Sequence, residues 1–171
     1  MPDHINNIER TLIDNMRNGR YNNNDGIASG SAWASGTVNV FGQYPEPEDR
    51  KYPCIIIAQS ANGLDEQFMG QAIEGPSTED IGEMYGIGFN VHLTVDGDST
   101  ITVDGEGYKQ RRLINYLMLG CANVLMDTDF SGTDTEVVER HFTGWTQIGY
   151  SQEREVWGST CSYVMTFKNS R

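Results

Sequence analysis

The stretch Gly86-Ile87-Gly88-Phe89-Asn90-Val91-His92-Leu93-Thr94-Val95 decides how this chain folds. Ile87, Phe89, Val91, Leu93 and Val95 occupy every second position, with Gly88, Asn90, His92 and Thr94 between them. Successive side chains of an extended chain point to opposite faces, so the alternation predicts a long strand with one apolar and one polar face. His92 falls on the polar face, where a hydrogen-bonded surface imidazole is the simplest reading. The Gly86-Ile87-Gly88 start lacks the third glycine of a dinucleotide loop and lies inside a strand, where it marks close packing or a bulge.

Upstream, Pro53 leads Cys54-Ile55-Ile56-Ile57-Ala58, apolar at every position and rich in β-branched residues. Such a run predicts a strand covered on both faces and central in its sheet. Downstream, after a turn near Asp96-Gly97-Asp98, Ile101-Thr102-Val103 and Asp104-Gly105 lead into a helix from roughly Tyr108 to Met126. Its main apolar arc, Leu113, Ile114, Leu117, Met118, Cys121, Val124 and Leu125, covers about 140° of the circumference, a normal core-facing stripe. A separate line, Tyr116, Leu119 and Met126, lies on the other side. One helix with two apolar lines needs two things to bury them.

Both ends of the chain complete the pattern. Ile5, Ile8, Leu12 and Met16 recur at helical spacing, predicting an amphipathic helix from Asp3 to Asn18 with Asp3 as N-cap and Gly19 as stop. Glu136 to Gly149 and Glu155 to Lys168, joined by Tyr150-Ser151-Gln152-Glu153-Arg154, read as an antiparallel hairpin. The order of elements predicts one α+β domain over residues 1–171, with a mainly antiparallel sheet of about four to five strands and two helices packed on one face. Long polar loops fill residues 19–52 and 60–82. In the first, only Thr37 to Phe41 reads as a strand, and Trp33 either folds back onto its own domain or anchors a neighbour. In the second, Leu64, Phe68, Met69 and Ile73 form a helical turn or pack across a sheet edge.

Composition excludes several function classes. The 171 residues carry 24 Asp and Glu against 12 Lys and Arg, a formal charge of −12. A phosphate backbone repels such a chain unless its cations cluster, so sequence-specific nucleic-acid binding is not expected. No apolar run approaches the roughly 18 residues of a membrane span, and no signal-like segment opens the chain, so neither membrane insertion nor secretion is expected. Cys54, Cys121 and Cys161 are isolated and odd in number, which favours reduced, buried thiols over a disulfide frame. Dispersed acid with only three lysines, Lys51, Lys109 and Lys168, fits either salt adaptation or an ordinary acidic protein.

No motif argues for catalysis, a metal or a cofactor. Asp96-Gly97-Asp98-Ser99-Thr100 opens like a calcium loop, but Ile101 and Gly107 stand where that loop needs Gly and Glu, leaving an acidic hairpin turn. No Gly-x-Ser-x-Gly elbow or phosphate loop is present, and His4, His92 and His141 stand in no recognisable relation to a nucleophile. More telling are Lys109, Arg111 and Arg112, cations in the first turn of a helix whose dipole disfavours them there. Either a partner supplies acid or phosphate, or Asp104 and Glu106 just upstream offset the field.

The N-terminal helix, the Pro53 to Ala58 and Gly86 to Val95 strands, Val103-Asp104-Gly105 leading to Tyr108-Lys109-Gln110-Arg111-Arg112-Leu113-Ile114-Asn115-Tyr116-Leu117, and the closing hairpin, Val137 to Gly149 and Val156 to Phe167, together resemble the tail-terminator (tail-completion) proteins of long-tailed phages and tailed archaeal viruses. The resemblance spans most of the chain and rests on element order and pattern, without an invariant motif. It implies a small, non-enzymatic α+β virion protein without cofactor, assembled in the host cytoplasm. Such a protein forms a hexameric ring at the head-proximal end of the tail tube, ends tube polymerisation and meets the head–tail connector protein. The implied partners are further copies of the chain, the tail-tube protein and the connector, with genomic DNA passing through the channel without sequence-specific binding. In a ring, the line Tyr116, Leu119 and Met126, with Arg111 and Arg112 at its head, borders the subunit contact. A head-completion or stopper protein and a tail-tube subunit are the alternatives within this class; a small host enzyme or ligand-binding domain is the alternative outside it.

Overall fold

The computed structural model describes residues 4–18, 20–21, 30–31, 38–60, 73–74, 81–130, 133 and 136–170. Among the described residues two α-helices, α1 (His4–Asn18) and α2 (Gln110–Asp127), and a 3-10 turn, Pro47–Asp49, accompany eleven strands. These are β1 (Arg20–Tyr21), β2 (Gly30–Ser31), β3 (Asn39–Phe41), β4 (Cys54–Gln59), β5 (Ile73–Glu74), β6 (Ile81–Asp96), β7 (Thr100–Val103), β8 (Glu106–Lys109), β9 (Glu136–Phe142), β10 (Gly149–Ser151) and β11 (Val156–Ser170). The class is α+β, with a mainly antiparallel sheet.

Among the described residues the main sheet has seven strands, ordered β10-β11-β6-β4-β3, with β5 also on β6 and β9 also on β11. Its long members are β4, β6, β9 and β11; β3, β5 and β10 add two or three residues each. The alternating stretch is the spine: β6 pairs antiparallel with β11 from Val156 opposite Asp96 to Ser170 opposite Gly82. The register runs through Gly86 and Gly88 without a bulge, and Gly88 is buried. On its other edge β6 pairs with β4, which itself carries β3 in parallel. The all-apolar run thus sits inside the sheet, with Cys54 to Ile57 buried.

Pairing in register places Ile87, Phe89, Val91 and Leu93 of β6 on the same face as Ile55 and Ile57 of β4 and Cys161, Tyr163 and Met165 of β11. That face forms one core with Ile8, Leu12 and Met16 of α1 and with Leu113, Ile114, Leu117, Cys121, Val124 and Leu125 of α2. Both helices therefore cover one face, as the two stripes require. Each fully buried Leu or Ile contributes about 1.5–3 kcal/mol relative to an exposed one, which fixes the register because a one-residue slip would turn the whole set outward.

Two boundaries differ from the sequence reading. Tyr108 belongs to β8, because Lys109 is extended and Gln110 takes a φ of 49°, so α2 starts at Gln110. The last hairpin is interrupted: between β9 and β10 the chain leaves the ladder at Gly144, whose φ is 83°. Backbone bonds remain from the Thr143 N–H to the Ser162 carbonyl at 3.0 Å and from the Thr146 N–H to the Thr160 carbonyl at 2.9 Å, and hydroxyls supplement them, Thr146 Oγ1 accepting from the Thr160 N–H at 3.0 Å and Ser159 Oγ donating to the Thr146 carbonyl at 2.8 Å. The detour lets Trp145 turn inward, edge-on to Phe142 with centroids 5.7 Å apart. The caps at Asp3 and Gly19, the loop residue Trp33, and Leu64, Phe68 and Met69 lie outside the described residues.

Candidate functional site

α2 carries the candidate contact surface, and the hairpin β7–β8 sets its upper end. Val103 opposite Glu106 closes that hairpin over Asp104 and Gly105, whose φ values of 50° and 82° are those of a two-residue primed turn. Ile101 is buried, and Val103 and Tyr108 pack on the core, so the hairpin lies against the helical side. Tyr108 meets Tyr116 edge-on at 5.7 Å, and Arg112 stacks over the Tyr108 ring at 4.1 Å. Arg112 also donates to Glu106 at 2.6 Å. Glu106 thus answers the misplaced charge of Arg112 from within the chain, while Arg111 is exposed.

The predicted outer line divides. Tyr116 is half-buried against Tyr108 and the core, whereas Leu119 is 65% exposed and Met126 44%. Arg112, Tyr116, Leu119 and Met126 lie at i, i+4, i+7 and i+14, so they follow one side of the helix over roughly 21 Å. The structure brings Arg112 and Tyr116 together through Tyr108, and leaves Leu119 and Met126 as an open apolar stripe farther along.

Sequence reading missed the clamp at the other end of α2. Arg140 of β9 donates to the carbonyls of Leu125 at 3.2 Å, Thr128 at 2.5 Å and Met126. These carbonyls belong to the C-terminal turn of the helix, where free acceptors and the negative end of the dipole favour a cation. Tyr163 Oη adds a bond to the Leu125 carbonyl at 2.8 Å, and burial pushes its phenol up to about 12 while Arg140 pulls it down. An Arg two residues before Phe142, on the same strand parity, is the one sequence signal that pointed inward.

On the opposite face of the sheet, His92 bonds Thr160 Oγ1 through Nδ1 at 3.0 Å and the Tyr44 hydroxyl through Nε2. Burial holds its imidazole below the ordinary range. Asn90 Oδ1 accepts from Ser162 Oγ at 3.1 Å beside it. This is the satisfied surface histidine that the alternation predicts. Cys54, Cys121 and Cys161 are free and buried. Burial drives Cys121 well above the ordinary thiol range and Cys161 up to about 12, so neither offers a thiolate near neutrality. Cys54 is raised for the same reason, against a hydrogen bond with Thr94 and the charge of Arg50. The Asp96 turn closes on itself, Oδ1 accepting from the Ser99 N–H at 2.8 Å and from its hydroxyl. Among the described residues no three His, Cys, Asp or Glu side chains are grouped to hold a metal ion, and no helix is long and apolar enough to cross a membrane. No protein-family model and no curated protein matches this chain.

Proposed function

We propose that the protein is a structural, non-catalytic ring subunit of a viral tail, seated at the head-proximal end of the tube, where it ends polymerisation and meets the connector. The observation that carries the reading is the open Leu119–Met126 stripe on a helix whose opposite face is fully used by the core. A second apolar surface on a core helix fits a neighbour that repeats around an axis, each copy offering one surface and receiving another. The resemblance in element order supports the tail as the setting. A formal charge of −12 supports a conduit that repels duplex DNA rather than retaining it. Cryo-microscopy of virions from the source virus tests the reading: a single six-fold ring of this chain at the head–tail junction is expected. Density repeated along the whole tube, or isolated monomers, would overturn it.

A further inference from the structure

On the sheet face away from the helices, a groove of about 520 Å³ crosses the strands near the C-terminal end of β6. Its floor is a row in register, Thr94 opposite Gly158 and Gly158 opposite Gly149. The row is kept low because a Cβ on Gly158 would come within 3.2 Å of the Leu93 carbonyl oxygen. Arg50 rises on one side, and Glu153 and Arg154 of the β10–β11 turn on the other. Among the described residues Arg50 Nε is covered by the chain itself and has no hydrogen-bond acceptor, so nothing there neutralises the guanidinium that lines the groove. Native structures leave few such donors, and the partner that a guanidinium N–H best accommodates is an anionic oxygen. Two guanidinium groups beside one carboxylate leave a single positive charge, which one carboxylate neutralises and a phosphate dianion exceeds.

A matching carboxylate stands elsewhere on the chain. The β7–β8 tip, Asp104-Gly105, is exposed, and a Cβ placed on Gly105 would meet nothing within 4 Å. Glu106 is engaged by Arg112, so Asp104 is the acid that the tip presents outward. The groove lies near the end of β6, where Asp96 pairs with Val156, and the hairpin starts just beyond that end, but the hairpin packs on the helical side and the groove opens on the other. A contact between them therefore joins two molecules head to tail, the heterologous geometry that closes into rings.

We propose that the Arg50–Arg154 groove is a socket for the Asp104–Gly105 hairpin tip of a second copy of this chain, with the Asp104 carboxylate pairing with the charge of the Arg50 guanidinium. The contact rests on the ring reading above and specifies one of its joints. The test is nuclear magnetic resonance on the ¹⁵N-labelled full chain, titrated with a capped peptide of residues 102–107. Saturable shifts are expected at the Arg50 Nε–H and at the Gly149 and Gly158 amides. They should weaken at least about fivefold with the Asp104→Asn peptide, the scale of one charged pair, and disappear in the Arg50→Gln chain. Equal binding of the Asn peptide, shifts scattered over all Arg and Lys residues, or tighter binding of inorganic phosphate at Arg50 would overturn the socket.

Sedimentation velocity supplies the second arm, with circular dichroism confirming that each variant is folded. Arg50→Glu and Asp104→Arg should each weaken self-association, and the double substitution should restore it. A ring that survives both single changes overturns this contact and leaves the ring reading standing. Wild-type protein that forms no ring yet binds the peptide at Arg50 overturns the ring reading and keeps the socket chemistry.

Discussion

His92 shows how one residue's place on a sheet sets its response to pH. Its neutral ring is held between Thr160 and Tyr44, and burial disfavours the charged form. The unfolded chain takes up a proton near the ordinary imidazole value of about 6.5, while the folded chain resists it until a lower pH. The contribution of this group is therefore intact above about pH 6.5 and is lost as pH falls through the folded-state value. Urea unfolding across this range should show stability declining with acid, and His92→Gln should flatten that slope. Arg140 is the second residue with a measurable role. Arg140→Met keeps much of the stem but leaves helix-end carbonyls without their cation, and should lower unfolding free energy by about 1–3 kcal/mol in urea melts. His92 was legible in sequence because period-two alternation places it outside; Arg140 was not, because its acceptors lie on a helix 12 to 15 residues earlier in the chain.

At the scale of the element, α2 separates two kinds of leucine. Leu117 is fully buried and Leu119 is 65% exposed, although they stand two residues apart. Leu117→Ala should cost about 2–5 kcal/mol, the usual range for a truncated core leucine. Leu119→Glu should change stability by no more than about 0.5 kcal/mol and leave the circular dichroism spectrum intact. The same change should block ring closure in sedimentation; unchanged assembly would show that this stripe is not the joint. The helical period predicted both arcs from the sequence. The hairpin that takes Tyr116 out of the outer line was hidden, because Ile101-Thr102-Val103 and Glu106 to Lys109 read as a lead-in to the helix until Tyr108 is seen against Tyr116.

For the whole molecule, charge is the property with the widest reach. Arg10–Asp14, Arg17–Asp14 and Arg112–Glu106 are ion pairs with exposed side chains, and exposed pairs contribute little each. Self-repulsion of a chain at −12 is expected to outweigh such attractions, and salt shortens its reach from about 10 Å at 0.1 M to about 3 Å at 1 M. The melting temperature should therefore rise with sodium chloride, a gain of about 1 kcal/mol appearing as roughly 2–4 °C for a domain of this size. A melting temperature that falls with salt would mean that attractive pairs outweigh the repulsion. Alternation, apolar runs and helical stripes determined the class, the central strand and the buried faces, because they depend on where neighbouring residues of one segment point. Only the tertiary structure decided which cations are already answered, that Arg50 Nε lacks an acceptor among the described residues and which part of α2's outer line stays open. Those outcomes depend on distances between segments far apart in the chain, which the local period of a sequence does not encode.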